Sequence, residues 1–184
     1  MTEPRREDRR PFMVRPATPW DAGSFHRMLS SVMAEGRFLR SDRPPQSARG
    51  YRKAFRRSWT PEEANIVAVA EDRVIGHLNV SREENPVTRH VASLGMAVER
   101  QWRRRGVGSA LLEAALEWAH SVGVEKLALT VYPDNDAARA LYRRFGFVEE
   151  GRMTGHSKKA IGYRDEIVMG LWLIPRPDGS GEAP

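Results

Sequence analysis

Three cations and two glycines stand together in Arg103-Arg104-Arg105-Gly106-Val107-Gly108. Glycine permits positive φ and close backbone approach, and successive amides at the start of a helix point toward an anion. The turn is therefore suited to holding phosphate. Its spacing lacks the third glycine of a dinucleotide fingerprint, and no Gly-Lys-Ser/Thr follows as in a P-loop. Taken alone, the six residues read equally as a tight turn between strand and helix with solvated arginines.

The flanking elements decide what such a turn could face. Leu94 to Val98 is apolar or small, as a central strand would be. Gly106 to Val122 reads as a helix with Leu111, Ala115, Trp118 and Val122 on one stripe, Glu113, Glu117 and Ser121 on the solvated side, and Gly123 as its stop. Lys126 to Tyr132 alternates as a strand that Pro133 ends. Asp134 or Asn135 then caps a helix packed through Ala138, Leu141 and Phe145, with Gly146 closing it.

A strand, an Arg-x-x-Gly-x-Gly turn and a helix resemble the acetyl-CoA site of GNAT-family N-acetyltransferases. Asn135 to Phe147 matches that family's Asn-x-x-Ala-x-x-Leu-Tyr-x-x-x-Gly-Phe, at the right distance behind the turn. The resemblance is good over roughly 89–173 and extends to the N-terminal half only by element order. It implies an α/β (α+β) GNAT fold, a mixed, mostly antiparallel seven-stranded sheet flanked by about four helices. Two strands, ending near Val98 and beginning near Lys126, diverge there to admit the pantetheine arm.

The resemblance also implies roles. Backbone groups of Met96, Ala97 and Val98 would meet the pantetheine of acetyl-CoA, and the turn amides from Gly106 and Val107 to Gly108 and Ser109 its pyrophosphate. Arg103, Arg104 and Arg105 add charge beside it, while Asn135 and Ala138 lie along the cofactor. Tyr142 falls where a hydroxyl would protonate the leaving thiolate; a tyrosine that only packs under the cofactor is the other reading. The reaction is direct attack of a primary amine, which an ammonium cannot perform because its lone pair carries a proton, so a base or a water chain is useful.

The base is less defined. Many relatives carry a glutamate where this chain has Ala92. His90 shares strand parity with Ala92, Met96 and Val98 and suits proton transfer near neutrality, yet it equally suits packing at a strand entrance. Glu35, Glu83 and Glu84 compete with it. The acceptor pocket of the fold would draw on Glu35, Phe38, Tyr163, Asp165 and Glu166. The run from Glu150 to Met169 resembles a bacterial branch acting on small amines or amino acids. Acetylation of protein N-termini or lysines, and a non-catalytic acyl-CoA sensor, are the alternatives.

The whole chain sets the remaining bounds. Its 184 residues suit one domain, expected over 12–174 between a leader at 1–11 and a tail at 175–184. The absence of cysteine excludes a disulfide framework, a cysteine nucleophile and thiolate zinc sites, and no metal is expected. With no signal peptide and no long apolar run, a cytoplasmic protein without a membrane partner is expected, and a homodimer is compatible. The net charge of +6 is dispersed in short arginine clusters with no nucleic-acid-binding motif, so no nucleic-acid partner is expected.

In the N-terminal half, Phe12 to Pro16 reads as a strand and a helix capped by Thr18 or Asp21 runs to Glu35, with Trp20, Phe25, Met28, Leu29, Val32 and Met33 as core. A shorter helix spans Ser47 to Trp59. Asn65 to Glu71 and Arg73 to Arg82 form a hairpin, and the central strand begins near Arg89.

Overall fold

Alternating apolar residues set the strands, and helix-period stripes cover both faces of the sheet they form. The computed structural model describes residues 11–160 and 162–175, so the expected leader and tail fall almost wholly outside it. Its strands are β1 (Met13–Pro16), β2 (Glu63–Ala70), β3 (Arg73–Arg82), β4 (Val91–Val98), β5 (Lys126–Val131), β6 (Val148–Lys159) and β7 (Gly162–Trp172). The helices are α1 (Ala22–Ala34), α2 (Ala48–Ala54), α3 (Val107–Ser121) and α4 (Asp136–Arg144). Sheet order is β1-β2-β3-β4-β5-β7-β6, and only β4 with β5 is parallel. This is the architecture the motif resemblance implies.

Strand alternation feeds two cores. Ala64, Ile66 and Ala68 of β2 join Leu111, Ala115 and Trp118 of α3, whereas Val67 turns to Phe25, Met28 and Val32 of α1 on the other face. Trp118 is fully buried, and its indole N–H donates to the Thr60 carbonyl at 2.7 Å. The β2–β3 hairpin closes through Glu71 and Asp72, both at positive φ (48° and 58°), the left-handed pair that a two-residue turn with matching twist demands.

Three local expectations are corrected. Trp20 is 84% exposed rather than core, because it lies in a one-turn 3-10 segment before α1 and packs beside the Arg52 guanidinium. The second helix ends at Ala54 and tightens into a 3-10 turn, Phe55–Arg57, leaving Trp59 to bridge Ala64. β4 begins at Val91 rather than Arg89. Before it, the Asn85 side chain accepts from the Val87 N–H and the Asn85 carbonyl from the Thr88 N–H, holding that segment as a turn.

The feature that positions the site is a short pairing. β4 and β5 are in register only at Val91 with Lys126, Ala92 with Leu127 and Ser93 with Ala128. β4 continues to Val98 along β3, and β5 continues to Val131 along β7. Beyond Ser93 the two strands therefore diverge.

Candidate active site

Backbone direction in β4 follows from two hydrogen bonds. The Glu99 N–H donates to Ile75 O at 2.9 Å, and Val91 O accepts from the Glu83 N–H at 3.0 Å, so odd-numbered residues turn their polar groups to β3. In an extended strand a residue's N–H and C=O point the same way and alternate along the chain. Met96 and Val98, beyond the last bridge to β5, consequently direct theirs into the gap. One acceptor there is engaged already: the Arg103 Nε donates to Val98 O at 3.0 Å.

At the wide end of the gap lies the basic turn. Arg104 and Gly106 have positive φ (61° and 83°), and Gly106 is the left-handed N-cap of α3. The first intrahelical bond runs from the Ala110 N–H to Gly106 O at 3.1 Å, so the amides of Val107, Gly108 and Ser109 precede the ladder. With exposed Arg104 and Arg105 beside them, these donors fit a phosphate. The two glycines are required for different reasons. A Cβ on Gly106 would meet nothing within 4 Å, so its dihedral decides, whereas one on Gly108 would lie 2.9 Å from Leu141 Cδ2, where α3 abuts α4. Ser109 Oγ accepts from Arg144 Nη2.

α4 presents Asn135 and Tyr142. The Asn135 side-chain oxygen accepts from the Ala138 N–H at 3.3 Å, an N-cap that leaves its amide nitrogen for other partners. Tyr142 is buried against Phe147, ring centroids 5.6 Å apart, and burial pushes its phenol up to about 12. The hydroxyl thus keeps its proton across the neutral range.

The candidate bases separate. His90 stands just before the paired end of β4, stacked on Trp172 with centroids 6.2 Å apart. Six residues of extended strand, about 20 Å, divide it from Met96. Glu83 is at that same end, accepting from Ser93 Oγ at 3.1 Å, with exposed Glu84 beside it. Glu35, at the end of α1, lies at the other end, but Arg103 binds both its oxygens, at 2.8 and 2.5 Å. Glu35, Arg37, Phe38, Arg100 and Arg103 line a cavity of about 280 Å³.

A roof of loop and hairpin lies over the part of β5 that has parted from β4. The α1–α2 connection is tied to the β6–β7 hairpin at three points: Arg164 donates to Arg37 O at 2.6 Å, Arg40 binds Glu166, and Asp42 pairs with Lys159. Arg40 meets Glu166 through Nε (3.1 Å) and Nη2 (2.6 Å), and the same Nη2 donates to Thr130 Oγ1 at 3.0 Å. Glu166 is 3% exposed; although burial alone would raise its pKa, Arg40 and Thr130 hold the carboxyl below its usual value. Of the other hairpin candidates, Tyr163 is 71% exposed, and Asp165 is taken by the Gly155 N–H and Arg152, which lower its pKa. Arg40 and Thr130 carried no sequence signal, one being a loop arginine and the other an ordinary strand residue. Glu166, which ends the polar run 164–166 just before the apolar 167–172 of β7, was already among the expected pocket residues.

Among the described residues, no group of three or more His, Asp or Glu side chains is arranged to hold a metal, and no helix is long and apolar enough to cross a membrane.

Residues 32–147 match the Acetyltransferase (GNAT) family. The chain is 36% identical over 110 residues to L-amino acid N-acetyltransferase AaaT of Escherichia coli (strain K12), an alignment covering 59% of this chain and 68% of that protein. It is 38% identical over 76 residues to the [ribosomal protein bS18]-alanine N-acetyltransferase of Salmonella typhimurium, covering 41% of this chain and about half, 51%, of that relative. Among solved structures, a GNAT-family acetyltransferase from Streptococcus pneumoniae superposes with a TM-score of 0.82 at 26% identity, over 89% of this chain and 99% of that one. A phosphinothricin acetyltransferase from Sinorhizobium meliloti, solved with acetyl-CoA, shares the fold at a TM-score of 0.80 and 20% identity, over 95% and 94% of the two chains.

Proposed function

The chain belongs to the acetyltransferase (GNAT) family and is by that membership an acetyl-CoA-dependent N-acetyltransferase; we propose that its acceptor is the primary amine of a small molecule, an amino acid in particular. The observation that carries this choice of acceptor is the roofed cleft. A protein terminus or lysine needs an open groove, whereas here the α1–α2 connection is strapped to the terminal hairpin through Arg164, Arg40 and Asp42. The likeness to an L-amino acid N-acetyltransferase favours the same acceptor.

In this reading the gap-facing groups of Met96 and Val98, with Ala97 between them, receive the pantetheine, and the amides of Val107, Gly108 and Ser109 with Arg104 and Arg105 receive the pyrophosphate. Gly106 shapes the turn, Ala138 shares its α4 flank with Tyr142, and Asn135 offers its amide nitrogen. Acetyl-CoA supplies the activated acyl group as a thioester. Tyr142, kept protonated by burial, donates to the sulfur as negative charge develops there. Arg103 serves less as a free phosphate ligand than as a brace between Val98 O and Glu35.

Amine deprotonation costs about 1.4 kcal/mol for each unit by which the amine's pKa exceeds the pH. With His90, Glu83 and Glu84 at the closed end and Glu35 paired, that proton leaves through water. Thiol release from acetyl-CoA across a panel of amino acids, plain amines and peptides, with mass identification of the product, tests the proposal. Free amino acids should turn over. Transfer confined to peptide termini would reverse the choice of acceptor, and cofactor binding without any turnover would make the chain an acyl-CoA sensor.

A further inference from the structure

An arginine held in place by a buried carboxylate, yet largely open to solvent, is an unusual investment. Ordering a long side chain at a surface costs entropy that an exposed ion pair rarely repays. Arg40 is ordered nonetheless, with Nε and Nη2 on Glu166 and Nη2 on Thr130, while 58% of its side chain is exposed. Guanidinium carries five N–H donors in one plane. The Nη1 pair makes no hydrogen bond among the described residues, so a fixed, directed edge of the fork remains free.

That edge has a defined position. Thr130 lies two residues beyond Ala128, the last β5 residue paired with β4, and so belongs to the flank of the gap. Arg40 bonds to it from the roof, at 3.0 Å. Arg37 and Arg100, beside the Arg103–Glu35 pair, line the cavity at the start of the same connection, leaving its charge net positive and favouring anionic groups. An α-amino acid carries its carboxylate two bonds from its nitrogen. A fixed guanidinium beside the reaction gap distinguishes it from a plain amine.

We propose that Arg40 binds the carboxylate of the acceptor through its free Nη1 edge, and that Glu166 and Thr130 are positioning residues that aim it. This rests on the small-amine reading above and narrows it to α-amino acids. Glu166 also neutralises most of the guanidinium's charge, so recognition is by directed hydrogen bonds rather than by net attraction, the use to which a planar fork is suited.

The test compares kcat/KM for an L-amino acid and for its amide, which has the same side chain and no carboxylate. Wild type should prefer the acid by about 10- to 10²-fold. Arg40→Gln should collapse that preference toward unity through KM for the acid, with a far smaller loss on the amide and an unaltered KM for acetyl-CoA. Glu166→Gln, which keeps the guanidinium but releases its aim, should raise KM for the acid in the same direction. Calorimetric titration of the amino acid into the CoA-bound protein should show the same loss without turnover. If Arg40→Gln melts, Arg40→Lys, which can still pair with Glu166 but lacks the fork, carries the comparison and should retain only part of the preference. Equal losses on acid and amide would make Arg40 a strap alone and overturn the inference. A wild type that acetylates acid and amide equally would overturn it too, with small-amine transfer left standing. No transfer to either would remove both.

Discussion

Arg103 joins the end of α1 to the end of β4, gripping both carboxylate oxygens of Glu35 at 2.8 and 2.5 Å while its Nε holds Val98 O. A carboxylate with both oxygens engaged is a counter-ion before it is a base. Glu35→Gln should therefore leave the chemical step within about tenfold of wild type and alter mainly KM for acetyl-CoA, through a loosened turn. A general base contributes about 10²- to 10⁴-fold. A loss of that size in single-turnover rate, together with a lost ionisation in the pH profile of kcat/KM, would restore Glu35 as the base.

Tyr142→Phe isolates the hydroxyl. The ring keeps its packing on Phe147, so folding and acetyl-CoA affinity should survive. Loss of the proton donor should slow single-turnover acetyl transfer by about 10²- to 10⁴-fold, or roughly 3 to 5 kcal/mol. Because burial holds the phenol at about 12, its ionisation should place no falling limb in the wild-type pH profile below pH 10. Equal rates for the two proteins at saturating acetyl-CoA would make Tyr142 a packing residue.

Gly108 separates packing from cofactor binding. Gly108→Val brings a Cβ to within 2.9 Å of Leu141 Cδ2 and should cost about 1 to 3 kcal/mol in urea denaturation. Adding Leu141→Ala should recover part of that stability, a coupling readable in a double-mutant cycle. CoA affinity should stay low in both, since the branched side chain still crowds the amides that precede the ladder. Full recovery of binding in the double variant would mean that Gly108 serves only the contact between helices.

His77 gives the protein an acid sensitivity unrelated to catalysis. Its ring is buried against Phe25 and Phe55, centroids 4.4 and 6.1 Å away, with Nε2 3.2 Å from Asn65 Oδ1. Burial pulls its pKa down to about 3. The unfolded chain, with an ordinary histidine, binds a proton below about pH 6.5 that the native state refuses, so stability falls as pH drops through that window. His77→Phe, which leaves Asn79 Nδ2 donating to Asn65 Oδ1 at 3.3 Å, should lose about 2 kcal/mol less than wild type between pH 7 and pH 5. Parallel losses in the two proteins would show that His77 is protonated in the native state.

The elements that position the candidate site were legible in the chain, and the pairing of its long side chains was not. A turn that presents amides needs glycine at Gly106, and a helix that packs needs its stripe, so β4, α3, β5 and α4 could be read from local spacing. Arg40 and Glu166 are 126 positions apart, and an ion pair over that separation leaves no period to detect. His90 shares parity with Ala92 and Met96, which pack on the α3 face, and it stands at the paired end of the strand; parity says nothing of where β4 and β5 part. Trp20 resembled core for a related reason: helical spacing cannot reveal that the first turn is 3-10 and outside the helix. Glu35 and Arg103 were each legible as functional, one as base and one as phosphate ligand. Only the fold brings them together as a pair.

Competition in one tube decides between the acceptors. A free L-amino acid and a peptide beginning with alanine, at equal concentration with limiting acetyl-CoA, would be followed by mass spectrometry of both N-acetyl products. The roofed cleft predicts that acetyl groups pass to the free amino acid in large excess over the peptide. Acetyl-peptide as the main product would contradict it, and would mean that the straps at Arg37, Arg40 and Asp42 open to admit a chain.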